Sequence, residues 1–222
     1  MTQKDCCCVK KGLSWLHETF WKFPTGILKR PFKGFDAMKF EKKGSYVFAF
    51  FVLILESLIS IMNFVYRGFL INHSDIYHVN SLYLALTVLF PVALFVLGNW
   101  CVTTLMNGKG KLGEIFMTIM YAMFPMCLMQ LLALFLSNVL TLDEMTFVYA
   151  IESIGAFMLV VYGFIGLVVV HEYSFGQSIG AILLTIVAMM ILVFILMLVF
   201  ALVADVWDFF RVVTKELMLK YF

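Results

Sequence analysis

The residues able to do chemistry in this chain sit inside long apolar runs. Glu56 falls near the middle of the run 45 to 66, and Ser60, Asn63 and Arg67 follow at i+4, i+7 and i+11, so one side of a helix there is polar. At ~1.5 Å rise per residue Glu56 lies about 16 Å from the start of the run. If the run crosses a bilayer, a carboxylate at that depth costs on the order of 3 kcal/mol, so it must face other helices or carry a proton. Two chemistries fit: a proton or ion site, and a neutral carboxylic acid bonded to a neighbouring helix, which is the preferred reading. Glu152 lies at a comparable depth in a later run. Were the two carboxylates lateral neighbours, like-charge repulsion would leave them sharing one proton. Asn99 and Gln130 add an amide to each of two further runs.

Other patterns approach a motif and stop short of it. His171-Glu172 begins like a zinc-protease helix, but Phe175 stands where the second histidine belongs, which places His171 at the membrane interface rather than on a metal. His73 and His78 flank Asp75 at a spacing that does not share a helical face, so that segment reads as a solvated turn. The GKGKLG run (108 to 113) has no preceding strand and no Lys-Ser or Lys-Thr step, which argues against a phosphate cradle. Cys6, Cys7 and Cys8 suit acylation or metal binding, yet three adjacent thiols cannot all reach one ion. Cys101 and Cys127 lie within apolar runs, so the five cysteines do not form a disulfide framework.

The elements that position these groups follow from composition. Apolar residues make up 63% of the 222 and charged residues 14%, well short of the quarter usual in soluble domains. A net charge of +2, with no basic stripe interleaved with aromatics, excludes nucleic acid as a partner. Ten of the sixteen Lys and Arg precede residue 45, and this asymmetry predicts a cytoplasmic N-terminal flank. Lys4, Lys10 and Lys11 lead into a broken aromatic segment rather than a signal peptide, so the first span is expected to be retained.

Five membrane spans are predicted, at about 45 to 66, 81 to 104, 114 to 137, 146 to 170 and 179 to 203. Residues 1 to 44 form a basic, amphipathic N-terminal segment. Within it, residues 13 to 23 read equally as an interfacial helix and as a flanking helix packed on the protein's own surface. Asn107-Gly108 is a turn dipeptide chosen for positive φ, and Asn107, Gly108, Lys109, Gly110 and Lys111 together predict a tight cytoplasmic hairpin between spans two and three. Pro91 and Pro125 predict kinks in those two spans, and Asn99 is expected to bond across to span three. Thr141 with Glu144 is a capping-box pattern ahead of span four. Ala181, Thr185 and Ala188 give span five a small-residue face, and residues 205 to 222 read as a separate interfacial helix on the outer side.

Several of these segments, in this order, resemble the Yip family, the integral membrane proteins named for Ypt-interacting protein, and its bacterial branch in particular. They are PFKGFDAMKFEKKGS (31 to 45), Asn99-Trp100 with Thr103-Thr104-Leu105, Asn107-Gly108-Lys109-Gly110, Tyr121-Ala122, Phe124-Pro125, and His171-Glu172-Tyr173-Ser174. The resemblance covers residues 31 to about 200. It implies five helices with the N-terminus in the cytoplasm, and it carries no catalytic residues. Eukaryotic members are similar to one another in binding small GTPases of the Rab type. This sequence lacks their long acidic or proline-rich cytoplasmic domain, which argues against such a partner.

The sequence therefore predicts an all-α, polytopic bundle of five transmembrane helices. Its expected role is non-enzymatic, as a scaffold or accessory subunit in membrane organisation, trafficking or a membrane complex. No Ser-His, paired-Asp or metal-ligand spacing supports catalysis, and neither cofactor nor metal is expected. The alternative is a transporter or channel subunit whose pathway is lined by Glu56, Asn63, Gln130 and Glu152. Expected partners are the lipid bilayer and either another membrane protein or a second copy. The location would be the plasma membrane in a bacterium, with the C-terminus outside.

Overall fold

Long uncharged runs leave the backbone no water to bond, so each run satisfies its own amides by forming an α-helix. The computed structural model describes residues 17–68 and 80–221, with side chains as far as Met218. A π-helical turn (Glu18–Lys22) leads into α1 (Phe23–Lys29) and α2 (Pro31–Phe40). Then come α3 (Tyr46–Tyr66), α4 (Ser81–Leu105), α5 (Leu112–Ser137), α6 (Met145–His171) and α7 (Phe175–Tyr221). No strand occurs among the described residues. The helices α3 to α7 are each long and apolar enough to cross a membrane.

The ends of α3 to α6 fall within two residues of their expected positions because local signals fix them. Asn80 caps α4 by accepting the amides of Leu82 and Tyr83 at 3.1 and 3.3 Å. Ahead of α6, Glu144 reaches back to the Thr141 amide at 3.2 Å, completing the expected capping box around a short 3-10 turn. Both proline-bearing helices continue unbroken through Pro91 and Pro125. The expectation that fails is the break after span five. Helix α7 runs 47 residues without interruption, so the stretch from 205 is its continuation and not a separate element. No glycine or proline follows Gly180 before Tyr221, and Asp208 pairs with Arg211 along the same helix at 3.5 Å.

Helix α5 is the centre of the bundle. It packs on α6 most extensively, and also on α3, α4 and α1, while α7 touches mainly α4. Half of the most apolar stretch of α5 is buried, and none of that of α7. The tightest part of the core is aromatic. Tyr121 stacks on Phe48 with centroids 4.7 Å apart, and Phe124 meets Phe48 edge-on at 5.4 Å. Of the two readings for the N-terminal flank, its described part shows packing on the protein itself. Phe20 and Phe23 meet Phe48 and Tyr121 edge-on, while Trp21 stays exposed.

Chain direction brings α1, α2, the α4–α5 hairpin and the α6–α7 loop to one end of the bundle. There α2 lies against α6, with Phe35 fully buried. Gly166 permits this approach, because a Cβ would fall 2.3 Å from the Thr118 side chain and 3.1 Å from the Phe35 ring. At the opposite end the Gly68 amide donates to Ser137 Oγ, and the Asn138 side chain donates to the Tyr66 carbonyl, tying α3 to α5.

Candidate functional site at the hairpin end

The hairpin forms as expected, and its glycines are there for a different reason. Asn107 takes the left-handed turn at φ 59°, but no described glycine has a positive φ. Gly108 and Gly110 are needed for room. A Cβ on Gly108 would lie 2.6 Å from the Tyr173 hydroxyl and 2.8 Å from His171 Nδ1, and one on Gly110 would lie 2.6 Å from His171 Cε1. The turn is closed by the Gly108 amide donating to the Thr103 carbonyl at 2.7 Å. Lys111 then caps α5, with its amide donating to Glu114 at 3.0 Å. Lys109 points to the next loop.

Beneath the hairpin lies a directed chain of buried hydrogen bonds. Thr185 Oγ1 donates to the Ala181 carbonyl in its own helix, and Asn99 Nδ2 donates to Thr185 Oγ1 at 3.1 Å. That orientation turns Asn99 Oδ1 toward His171 Nε2, 3.0 Å away. An amide oxygen can only accept, so the network assigns the imidazole proton to Nε2. Nδ1 is then a buried acceptor with no partner among the described residues. The Tyr173 ring stacks on the imidazole at 5.4 Å, and its hydroxyl donates to the Met106 carbonyl at 3.2 Å. Two expectations are corrected here. Asn99 bonds to α7 and α6 rather than α5, and His171 is 2% exposed rather than lying at the membrane interface. Buried polar groups must be paired, and these three were each other's nearest candidates once the helices packed.

Glu172 completes the assembly. It ends α6 in the left-handed conformation (φ 55°, ψ 39°), which swings its carboxylate across the end of the bundle. There it accepts Lys109 at 2.5 Å and Lys39 of α2 at 2.6 Å. The Lys109 hydrogen bond, with that of Lys39 behind it, holds the Glu172 carboxyl down at about 2. One side chain thus ties together α2, the hairpin and α6.

Deeper in the bundle the sequence candidates separate. Glu56 is buried and accepts the Cys127 thiol at 2.9 Å, with Gln130 as a further donor. Ser60 and Asn63 are half-buried on the same helix, and Asn63 Oδ1 is enclosed without a partner among the described residues. Glu152 pairs instead with Arg67 at 3.0 Å. The shared-proton pair of Glu56 and Glu152 is therefore not formed, because Glu56 bonds Cys127 of α5 whereas Glu152 pairs with Arg67, just past the end of α3.

Cys127, Thr185, His171, Glu172, Lys39 and Tyr173 were not expected as participants. Their signal in the sequence was the HEYS segment and the placement of Cys127 one turn before Gln130. Among the described residues no three of His, Cys, Asp or Glu gather in a way that could hold a metal ion. Cys6, Cys7, Cys8, His73, Asp75 and His78 lie outside the described residues.

Five apolar helices, cross-linked by polar side chains at one end and capped there by two short helices, define a multi-pass integral membrane protein. Residues 25–202 match the Yip1 domain, and the chain belongs to that family. No curated protein and no solved structure matches it. The segments that carried the resemblance, Asn99-Trp100, Asn107 to Gly110 and His171 to Ser174, are distant in sequence, yet they meet at this one site.

Proposed function

We propose that the chain is a non-enzymatic scaffold or accessory subunit that offers its hairpin end as a preformed platform to another membrane protein. The supporting observation is that Asn99, Thr185, His171, Glu172, Lys39 and Lys109 are engaged with one another across four helices and the hairpin. A turnover site keeps a reactive group open to substrate, whereas this arrangement fixes a surface. The lysine-rich N-terminal flank and hairpin favour a cytoplasmic position for this end, and five crossings then send the C-terminus outside.

The test compares the wild-type chain with a Lys109→Ala, Glu172→Gln double variant, each purified in mild detergent after confirming equal helicity. The expected result is a membrane protein retained by the wild type and at least about tenfold depleted from the variant. Identical retention by both, or nothing retained above a mock purification, contradicts the platform.

A transport role is the second reading, favoured by the buried Glu56–Cys127 contact and by the Asn63 oxygen on the same helix, which is enclosed with no partner among the described residues. It requires that reconstituted wild-type vesicles dissipate a pH gradient and that Glu56→Gln vesicles do not.

A further inference from the structure

The short helices at the hairpin end do not stand clear of the membrane. The Tyr162 hydroxyl donates to the Leu28 carbonyl in the last turn of α1 at 2.9 Å, and Phe23 meets the Tyr121 ring edge-on at 5.4 Å. At ~1.5 Å per residue Tyr162 lies about 13 Å inside the end of α6, and Tyr121 about as far inside the start of α5. Helix α6 has 27 residues and is about 40 Å long, close to the ~40–45 Å of a bilayer with its headgroups. The corner between α1 and α2 is therefore lodged beside α6, just below the level of the lipid phosphates. Tyr162 supplies the hydrogen bond that water cannot give the Leu28 carbonyl there.

Three cationic side chains crowd this corner. Lys22, Lys39 and Lys43, elsewhere in the flank, are each met by a carboxylate of the protein, from Glu18, Glu172 and Glu41. Lys29, Arg30 and Lys33 are exposed and form no ion pair among the described residues, and Asp36, the acid of α2, pairs with none of them. Between them stands Phe32, 47% exposed, its ring 6.5 Å from that of Phe175, which lies 5.9 Å from Phe164 on the flank of α6. Phe32 thus rests on the outside of the bundle. A cation held beside an apolar helix needs an anion, and lysine and arginine reach one by extending their stems toward the headgroups.

We propose that the α1–α2 corner binds an anionic phospholipid, with the phosphate held by Lys29, Arg30 and Lys33 and an acyl chain laid against Phe32. Arg30 offers a planar fork to two phosphate oxygens, and the lysines add point charges. Three cations without a carboxylate favour a headgroup of net negative charge over a zwitterionic one, whose own ammonium would meet them. This inference is independent of the platform reading, because it uses neither the hairpin nor Glu172.

Native mass spectrometry of the full chain in mild detergent, offered equal amounts of phosphatidylglycerol and phosphatidylcholine, tests it. The wild type is expected to retain phosphatidylglycerol at least about tenfold over phosphatidylcholine. A Lys29→Gln, Arg30→Gln, Lys33→Gln variant should lose that preference with its helicity unchanged, while Arg211→Gln, Lys215→Gln on distal α7 should keep it. An excess of inorganic phosphate should leave the lipid bound, because the acyl chain also holds it. Equal retention of both lipids by the wild type, a preference that the triple variant keeps, or an equal loss in the α7 variant overturns the proposal. So does displacement of the lipid by inorganic phosphate or by an acidic peptide.

Discussion

The hairpin end and the distal half of α7 are built from the same kind of apolar helix, yet they are held by different means. At the hairpin end, side chains from α2, α4, α6 and α7 satisfy one another inside the protein. Along distal α7 no other helix among the described residues covers the apolar surface. Lipid tails are as apolar as leucine, so greasy contact alone cannot tell a helix which neighbour to choose. Polar cross-links and close glycine contacts can, and they are concentrated where α4, α6 and α7 must hold one register.

The sharpest way to break this contrast is Asn99→Leu, which leaves the buried His171 Nε2 proton without its acceptor, while the Thr185 hydroxyl loses one donor but keeps its bond to the Ala181 carbonyl. The orphaned N–H costs about 1–3 kcal/mol, so a drop in Tm of several degrees in detergent is expected. Next in size is Gly166→Ala. Its new Cβ meets Thr118 and Phe35, and overpacking of this kind costs about 1–3 kcal/mol, read as a lower Tm with α2 more open to proteolysis.

A smaller effect with a defined pH signature comes from Glu172→Gln. The Glu172 carboxyl sits at about 2 instead of its ordinary 4.5, so its stabilising contribution is complete above about pH 4.5. It is lost as pH falls from there toward 2. The Tm gap between wild type and Glu172→Gln should therefore be constant near neutrality and close over that window. Smallest of all is Leu198→Ala in distal α7, an exposed side chain, expected within about 0.5 kcal/mol of wild type. A Leu198→Ala loss as large as that of Asn99→Leu would erase the contrast.

Hydrophobic runs, caps and turn residues made the five helices legible, because each is a local signal. Thr141 with Glu144 ahead of α6 and the Asn107 turn between α4 and α5 could be read directly; the Asn80 cap of α4 emerges only in the structure. Lateral arrangement has no such signal. Asn99 could be recognised as a buried hydrogen-bonding group, but not that His171 and Thr185 would be its partners, because residues 72 and 86 positions away meet only after packing. Glu172 was hidden for another reason. Its role depends on a left-handed backbone at a non-glycine residue, which a HEYS segment does not announce. The length of α7 was misjudged because charged residues from Asp205 onward mark the edge of a membrane run without ending a helix.

The claim on which the rest depends is that the hairpin end is one rigid unit held by buried polar contacts. Amide hydrogen exchange of the full chain in lipid nanodiscs tests it most directly, at Gly108, whose N–H bonds Thr103, and at Tyr173, whose N–H bonds Val168. The account predicts slow exchange at both amides in the wild type and fast exchange at both in Asn99→Leu. Fast exchange in the wild type, or protection that Asn99→Leu leaves untouched, would contradict it.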